Sequence, residues 1–511
     1  MWRSPRPFNR AQRQQVMADS KIRIALSARS QSRLFMGALA GDLKQRFGAE
    51  LHLYCFGSQE LRHYQNLNTE GLFATITDAN IILRRCFETG LDEEAVINRA
   101  RAMERRLGIT INRLIVPDRH FGRGYSLAGY YHPRSRYSEC TSYTQAVHAY
   151  CESLAFWEEE FRAKDIELCI DGPREAFHIS RSIGIPYRVL VGSRFQNYHN
   201  WAHNDHYENP KFEERWRELT DSDGLEMEQP YLAHRANRKR SLARVKLTQT
   251  VKNIVLTALR YGYWNLRGYE KAKGYYFWGT VQYHFRVWAA HRHMRRLAKT
   301  KLPDLAGKRF VYYPLHVEPE TALHGLSPEY FYQHALIAAV SRDLPAGVFL
   351  AVKEAYGSLG RRPANFYRQV ADLKNVIWVD VWERGFDCAR QADAVVTICG
   401  TAGLEAVTSG TPVIAFGRHN IYNFLPSVRV VEDESQLAEY LHSALFQNDA
   451  ERVSAEGKRL LQAIVDESFD MGSYDYIKLN QFETDSVRQA ADALMESISM
   501  ASQQADKRLP A

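Results

Sequence analysis

The sequence predicts an α/β protein built from two doubly wound, Rossmann-like domains facing a cleft, with a helical connecting region between them. Three observations carry this. The chain has 511 residues, more than one hydrophobic core accommodates, so two domains and a connector are expected. Short apolar, β-branched runs alternate with amphipathic stretches in both halves, the pattern of parallel strands crossed over by helices. Between about residues 232 and 302 that alternation stops and long helical spacing replaces it.

In the first half, a polar leader gives way to a strand at 22–28, a helix at 32–47 and a strand at 51–56, a β-α-β opening. A helix at 93–107, a strand at 111–116, a helix at 143–162, a strand at 166–170, a helix at 174–183 and a strand at 187–191 continue it. In the second half, strands at 309–315, 347–352, 375–380, 394–398 and 412–416 alternate with helices at 328–342, 364–373, 385–392 and 402–409. Helices at 434–446, 450–466 and from about 485 close the chain. The expected domains are 20–230 and 303–470, with a basic, aromatic-rich connector at 231–302 and a C-terminal helix with a polar tail at 471–511.

Core material is ample, with 45% hydrophobic and 12% aromatic residues, so a folded chain is expected. The seven cysteines are scattered, odd in number and form no C-x-x-C pair, which points away from a zinc site or a disulfide framework and toward a reducing compartment. The first twenty residues lack an apolar signal-like run, and no apolar run approaches the ~18 residues of a membrane span. A cytoplasmic location, peripheral on the inner face of the cytoplasmic membrane, is the expectation.

Open α/β sheets bind ligands beyond the carboxyl ends of their strands, so candidate residues are those that follow strands. The stretch 395–417, "VVTICGTAGLEAVTSGTPVIAFG", joins a buried strand, a glycine turn, a short helix and a second buried strand. Gly400, Thr401, Ala402 and Gly403 let the chain turn tightly and direct helix N–H groups at an anion. Glu405, read here as standing in the first turn of that helix, is a candidate acceptor for the hydroxyls of a sugar or ribose, or else complements the helix dipole. Lys353, Arg361 and Arg362 surround a glycine-containing loop where cations neutralise a diphosphate, unless they form a solvated basic loop. His316, Glu318 and Glu320 follow the strand at 309–315, and Glu354 follows Lys353. Asp118 and His120 follow the expected strand at 111–116 and pair a carboxylate with an imidazole suited to general-base work.

His199, His203 and His206 lack the pattern of a zinc site and are read as a hydrogen-bonded polar surface; Asp221 and Asp223 are read as a turn. No P-loop and no G-x-G-x-x-G occurs. Between Arg235 and Lys301, seventeen Lys or Arg stand against one acid, Glu270, interleaved with aromatics such as Trp264, Trp278 and Trp288. Anionic lipid, a helical core or nucleic acid would each suit that composition. An anionic membrane surface along 235–301 is the expected partner, and nucleic acid is not.

With these residues in hand, the chain resembles the bacterial capsule polysaccharide biosynthesis proteins, GT-B-type glycosyltransferases that include Kdo transferases. The resemblance rests on "YYPLHVEPET", "LSPEYFYQ", "VKE…GRRP…FY", "TICGTAGLEAVTSGTPVIAFG" and Tyr422-Asn423 over about residues 309–425, and more weakly on "DRHFGRGY" and "SRFQNYHNWAHNDHYENP". It implies sugar transfer from a nucleotide-sugar donor, held mainly by the second domain, to a surface polysaccharide or lipid-linked acceptor held by the first. Many relatives carry His-Pro after the Lys-Glu, associated with a cytidine nucleotide donor, where this chain has Ala355-Tyr356. The base therefore stays open between CMP, UDP and GDP. The expected site is Gly400, Thr401, Ala402 and Gly403 with Lys353, Arg361 and Arg362 on phosphates, Glu405 on ribose, and His316, Glu318, Glu320 and Glu354 on the donor side. Asp118 or His120 serves as base. No metal and no cofactor beyond the nucleotide-sugar co-substrate is expected, because helix N-termini and cations can stabilise the leaving nucleotide. The alternatives are a nucleotide-sugar epimerase of the UDP-sugar 2-epimerase type and a non-catalytic nucleotide- or glycan-binding subunit.

Overall fold

A computed structural model describes residues 21–28, 33–118, 140–227, 246–269, 272, 275, 277–317, 321–330, 332–355, 358, 359, 362, 365–471 and 482–507. The chain forms two compact units: 1–111, 147–204 and 468–511 in one, 112–146 and 205–467 in the other. Each is an α/β unit around a largely or wholly parallel sheet.

The strands of the first unit are β1 (Arg23–Ser27), β2 (Glu50–Cys55), β3 (Thr75–Asp78), β4 (Leu168–Ile170), β5 (Tyr187–Gly192) and β6 (Tyr198–Ala202). Those of the second are β7 (Arg309–Pro314), β8 (Val348–Lys353), β9 (Val376–Val379), β10 (Ala394–Thr397), β11 (Val413–Ala415) and β12 (Val428–Val430). β13 (Phe469–Asp470) returns to the first sheet, whose order is β13-β6-β5-β4-β1-β2-β3. β5, β6 and β13 pair antiparallel there, and the other pairs are parallel. The second sheet is parallel throughout, in the order β12-β11-β10-β7-β8-β9.

These strands form where the sequence supplies continuous apolar runs, because a parallel strand covered by helices on both faces buries nearly every side chain. All four residues of β10 are buried, as are all three of β11. The first unit's core includes Ile24, Leu26, Phe35, Leu39, Leu51 and Leu53, and it also takes in Val487, Leu494 and Ile498 of the C-terminal helix Thr484–Lys507. Arg188 on β5 ties that helix down, donating from Nε to Ser497 Oγ at 2.8 Å and from Nη2 to the Ser497 carbonyl at 2.6 Å.

The segment read as a strand at 111–116 is instead a short helix, Ile111–Ile115. Ile111, Leu114 and Ile115 are buried while Asn112 and Arg113 are exposed, a spacing of three and four that suits a helical face and not a pleat. Asp118 therefore follows a helix, and the strand-end argument that singled it out does not hold. The run around His199, read as polar surface, contains β6, a strand with neighbours on both sides that buries Trp201 and Asn200. Its polar side chains hid the strand; burial is tolerated because Trp201 Nε1 donates to the Ala490 carbonyl at 2.8 Å and Asn200 Nδ2 to Ser193 Oγ at 2.8 Å. Asp221 and Asp223 lie in a single 3₁₀ turn closed by a capping box from Thr220, in agreement with the turn reading.

Candidate functional site

In the second sheet, β7 lies between β10 and β8, so the strand order reverses there, and in open α/β sheets the crevice outside the carboxyl ends of two such strands, here β7 and β10, is where ligands bind. The residues that close this crevice come from both strand ends. Gly400 caps the helix Thr401–Thr408 in extended geometry, with no side-chain cap hydrogen bond, so the amides of the helix's first turn keep an anion-binding character. Between the two strand ends, His316 Nε2 accepts the Cys399 N–H at 3.1 Å. An accepting Nε2 makes the buried ring neutral in this arrangement, with its proton on Nδ1. Gln333 anchors the same residue, its Oε1 accepting the His316 N–H at 2.8 Å.

Packing imposes glycine at two turn positions. A Cβ on Gly403 would lie 2.3 Å from Tyr422 Cζ, and one on Gly417 would lie 2.3 Å from the Ile398 carbonyl oxygen. Tyr422 Oη donates to the Gly400 carbonyl at 2.9 Å and Asn423 Nδ2 to the Gly417 carbonyl at 2.9 Å, so the Tyr-Asn pair braces the two glycine turns from behind. Gly403→Ala is accordingly expected to lower stability by about 1–3 kcal/mol through overpacking. In a Tyr422→Ala background the same substitution should cost far less; equal costs in the two backgrounds, by denaturant titration, would separate the glycine from the tyrosine.

Glu405 is the fifth residue of its helix, beyond the first turn, which corrects its reading as a first-turn acid. Its side chain is partly covered, and burial pushes its carboxyl up to about 7; Lys353 and Arg384 oppose this and Asp387 adds to it. Burial likewise lowers Lys353, at the end of β8, with Cys388, Glu354, Asp380 and Glu383 opposing. Lys353 and Arg384 thus both stand within electrostatic reach of Glu405.

Glu354 and Arg362 do not serve as free site charges, contrary to the sequence expectation. Glu354 is 0% exposed and Arg362 6%. Arg362 donates from Nε to Glu354 Oε2 and from Nη2 to Oε1, both at 2.8 Å, and Nη2 also reaches the His316 carbonyl at 2.7 Å. Tyr367 Oη adds a bond to Glu354 Oε2 at 3.0 Å and the Ala355 N–H one to Oε1 at 2.8 Å. A carboxylate in low dielectric takes the two-pronged guanidinium because that geometry offsets its desolvation, and the fork is then occupied. The "VKE…GRRP…FY" pattern is in this respect an internal brace that also holds His316.

Glu318, Glu320, Arg361 and His120 lie outside the described residues. Asp118 is partly exposed, and its N–H donates to the Ile115 carbonyl at 3.0 Å. Arg384 was missed by the sequence reading although it too follows a strand, β9, where the strand-end rule would have found it. Also missed is a stacked imidazole pair, His206 and His419, with centroids 3.8 Å apart, beside the turn that follows β11. Glu208 Oε1 lies 2.7 Å from His419 Nδ1, and Asp205 Oδ1 lies 3.2 Å from His206 Nδ1. Among the described residues no group of three or more His, Cys, Asp or Glu is arranged to hold a metal ion.

The first unit has a groove of about 410 Å³ lined by Arg84, Arg85, Glu88, Glu152 and Phe156 among others. Its charges are largely paired, Arg84 with Asp78 at 2.6 Å and Glu88 with His148 at 2.6 Å.

No protein-family profile matches the chain. No curated protein matches it either. Among solved structures it is similar to Anabaena HepE in complex with UDP-glucose, at 10% identity over 93% of this chain and 100% of that one, with a TM-score of 0.32. A beta Kdo 2,7 transferase, KpsC from Thermosulfurimonas dismutans, is 15% identical over 57% of this chain and 79% of that one, with a TM-score of 0.28. A putative UDP-N-acetylglucosamine 2-epimerase from Listeria monocytogenes is 9% identical over 86% and 94%, with a TM-score of 0.27. At these TM-scores the likeness assigns no residue and no activity to this chain.

Proposed function

We propose that the crevice at the carboxyl ends of β7 and β10 binds a nucleotide-sugar and that the protein transfers the sugar to a hydroxyl of a surface polysaccharide or lipid-linked glycan. The observation that carries the reading is the convergence, at a topological switch point, of a helix start without a side-chain cap, a buried lysine and a carboxylate of raised pKa. In this proposal the first-turn amides and Lys353 take the phosphates, with Arg361 beside them, and the ionised Glu405 accepts hydrogen bonds from ribose. Neutral His316 keeps the glycine turn in register with β7. Glu318 and Glu320 complete the donor side, and Asp118 or His120 removes the acceptor proton. Charge developing on the departing nucleotide would be met by fixed dipoles and cations, which stabilise it without reorganising.

Titration with UDP, CMP, GDP and their sugar conjugates tests the reading. A ligand at 100 times its Kd adds about 2.7 kcal/mol of stability, and hydrogen exchange should show new protection at 394–408 and 348–355. Protection confined to the first unit, or no binding of any nucleotide, overturns it. Asp118→Asn and His120→Ala should each keep donor affinity, and the one that removes the base should lower turnover about 10²–10⁴-fold. Isomerisation of the nucleotide-sugar in the absence of any acceptor would select the epimerase class instead.

A further inference from the structure

The helix Leu247–Leu266 leaves most of its aliphatic side chains exposed. Its buried positions are Thr250 and Thr257, and Thr257 Oγ1 lies 3.4 Å from His284 Nε2 on the helix Phe277–Leu297 packed against it. Away from these two threonines stand Leu247 and Val251 on the flank and Val255, Leu259 and Leu266 on the far side, which are 49, 51, 53, 66 and 85% exposed. Val251, Val255 and Leu259 follow one another at four-residue spacing, so they form a stripe along one side. A helix whose only neighbours are its own domain and water turns such a stripe inward and its threonines outward. Here the inward face is built from Thr250 and Thr257 with half-buried Ile254, Tyr261 and Trp264, the aliphatic stripe is left in the open, and a stripe of this kind marks a surface that another apolar phase covers.

The charge of the sequence that carries the stripe identifies that phase. From Lys246 to Lys301 the sequence has twelve Lys or Arg against one acid, Glu270. On the second helix, Trp278 (69% exposed) and Phe285 (46%) stand seven residues apart, on the face that also presents exposed Arg292 and Arg296. Two copies of so cationic a surface repel each other. An anionic bilayer attracts it, taking aliphatic side chains at the acyl boundary, tryptophan at the headgroup level and guanidinium groups on phosphates. None of the described helices is long and apolar enough to cross a membrane.

We propose that the helix pair Leu247–Leu266 and Phe277–Leu297 is an interfacial anchor for anionic membranes, with the Leu247, Val251, Val255, Leu259 and Leu266 stripe inserted among the lipids. This stands independently of the donor-site reading. Flotation of the full chain with phosphatidylcholine vesicles, with and without about 30% phosphatidylglycerol, tests it. The protein should float with the anionic vesicles only and be released as salt rises from about 0.05 to 0.5 M. The double variant Leu259→Glu, Leu266→Glu should lose about tenfold or more in partitioning with an unchanged thermal midpoint, since both side chains are exposed. Arg292→Glu with Arg296→Glu should weaken binding to anionic vesicles at low salt. Wild-type protein left in the soluble fraction overturns the proposal, as does a leucine variant that floats as well as wild type. A wild type that ignores vesicles and is dimeric by light scattering, with a monomeric leucine variant, overturns it in favour of a second copy.

Discussion

Arg362→Ala is expected to destabilise the second unit by about 3–5 kcal/mol, the cost of breaking a buried ion pair from one side. Glu354 would be left 0% exposed without the two guanidinium bonds that offset its desolvation. The His316 carbonyl would lose the shorter of its two donors, keeping only Gln333 Nε2 at 3.3 Å. Arg362→Lys keeps the charge but not the fork and should fall between wild type and alanine. A chain of two units need not unfold in one step, so hydrogen exchange of peptides covering 348–353 and 366–371 is the sharper measurement, with urea titration beside it. If Arg362→Ala leaves this exchange unchanged and abolishes nucleotide affinity, the guanidinium belongs to a ligand and the brace is wrong.

Glu405→Gln should act in opposite directions on stability and on binding, and both effects depend on pH. Its folded pKa, about 7, is raised above the ordinary 4.5. The raised value favours the protonated folded state, so its contribution is complete below about pH 4.5 and is lost as pH rises through about 7. Wild type should therefore lose up to roughly 3 kcal/mol across that window, less to the extent that solvent reaches the side chain, and the glutamine variant should not. At pH 8 the variant is expected to be the more stable protein. Donor binding runs the other way, because an ionised carboxylate makes the stronger bonds to hydroxyls. Wild-type affinity should rise between about pH 6 and 8, and the variant should bind about 1.5–3 kcal/mol more weakly at pH 8. A flat wild-type stability profile from pH 5 to 8 would show that Glu405 is ionised throughout. Equal donor affinities would remove it from the site.

Much of the second unit was legible because its strands are nearly unbroken apolar runs. The expected strand at 394–398 and helix at 402–409 appear as Ala394–Thr397 and Thr401–Thr408, and the glycine turn stands between them. The expected placement after a strand holds for His316, Lys353 and the Gly400 turn for the same reason. It failed for Asp118, where a short run, Ile111 to Ile115, carries too few residues for its period to be read with certainty, and the helix wins.

The residue chemistry written in the sequence determined that a glycine turn opens a helix after a buried strand, that lysine and glutamate lie near it in an α/β sheet, and that cations and aromatics concentrate before 302. Those are local properties: apolar runs, special backbone residues and composition. Which charges stay available was decided only in three dimensions. Glu354 and Arg362 are eight residues apart and read as two site charges; folding buries both and joins them. Glu405 gained its raised pKa from burial, against the opposing pull of Lys353 and Arg384, which are distant from it in sequence. The connector's composition led to the expectation of a membrane-facing surface without saying which side chains face outward; the helix Leu247–Leu266 buries Thr250 and Thr257 and exposes its leucines. Burial and pairing arise between residues distant in sequence, and a one-dimensional pattern does not carry them.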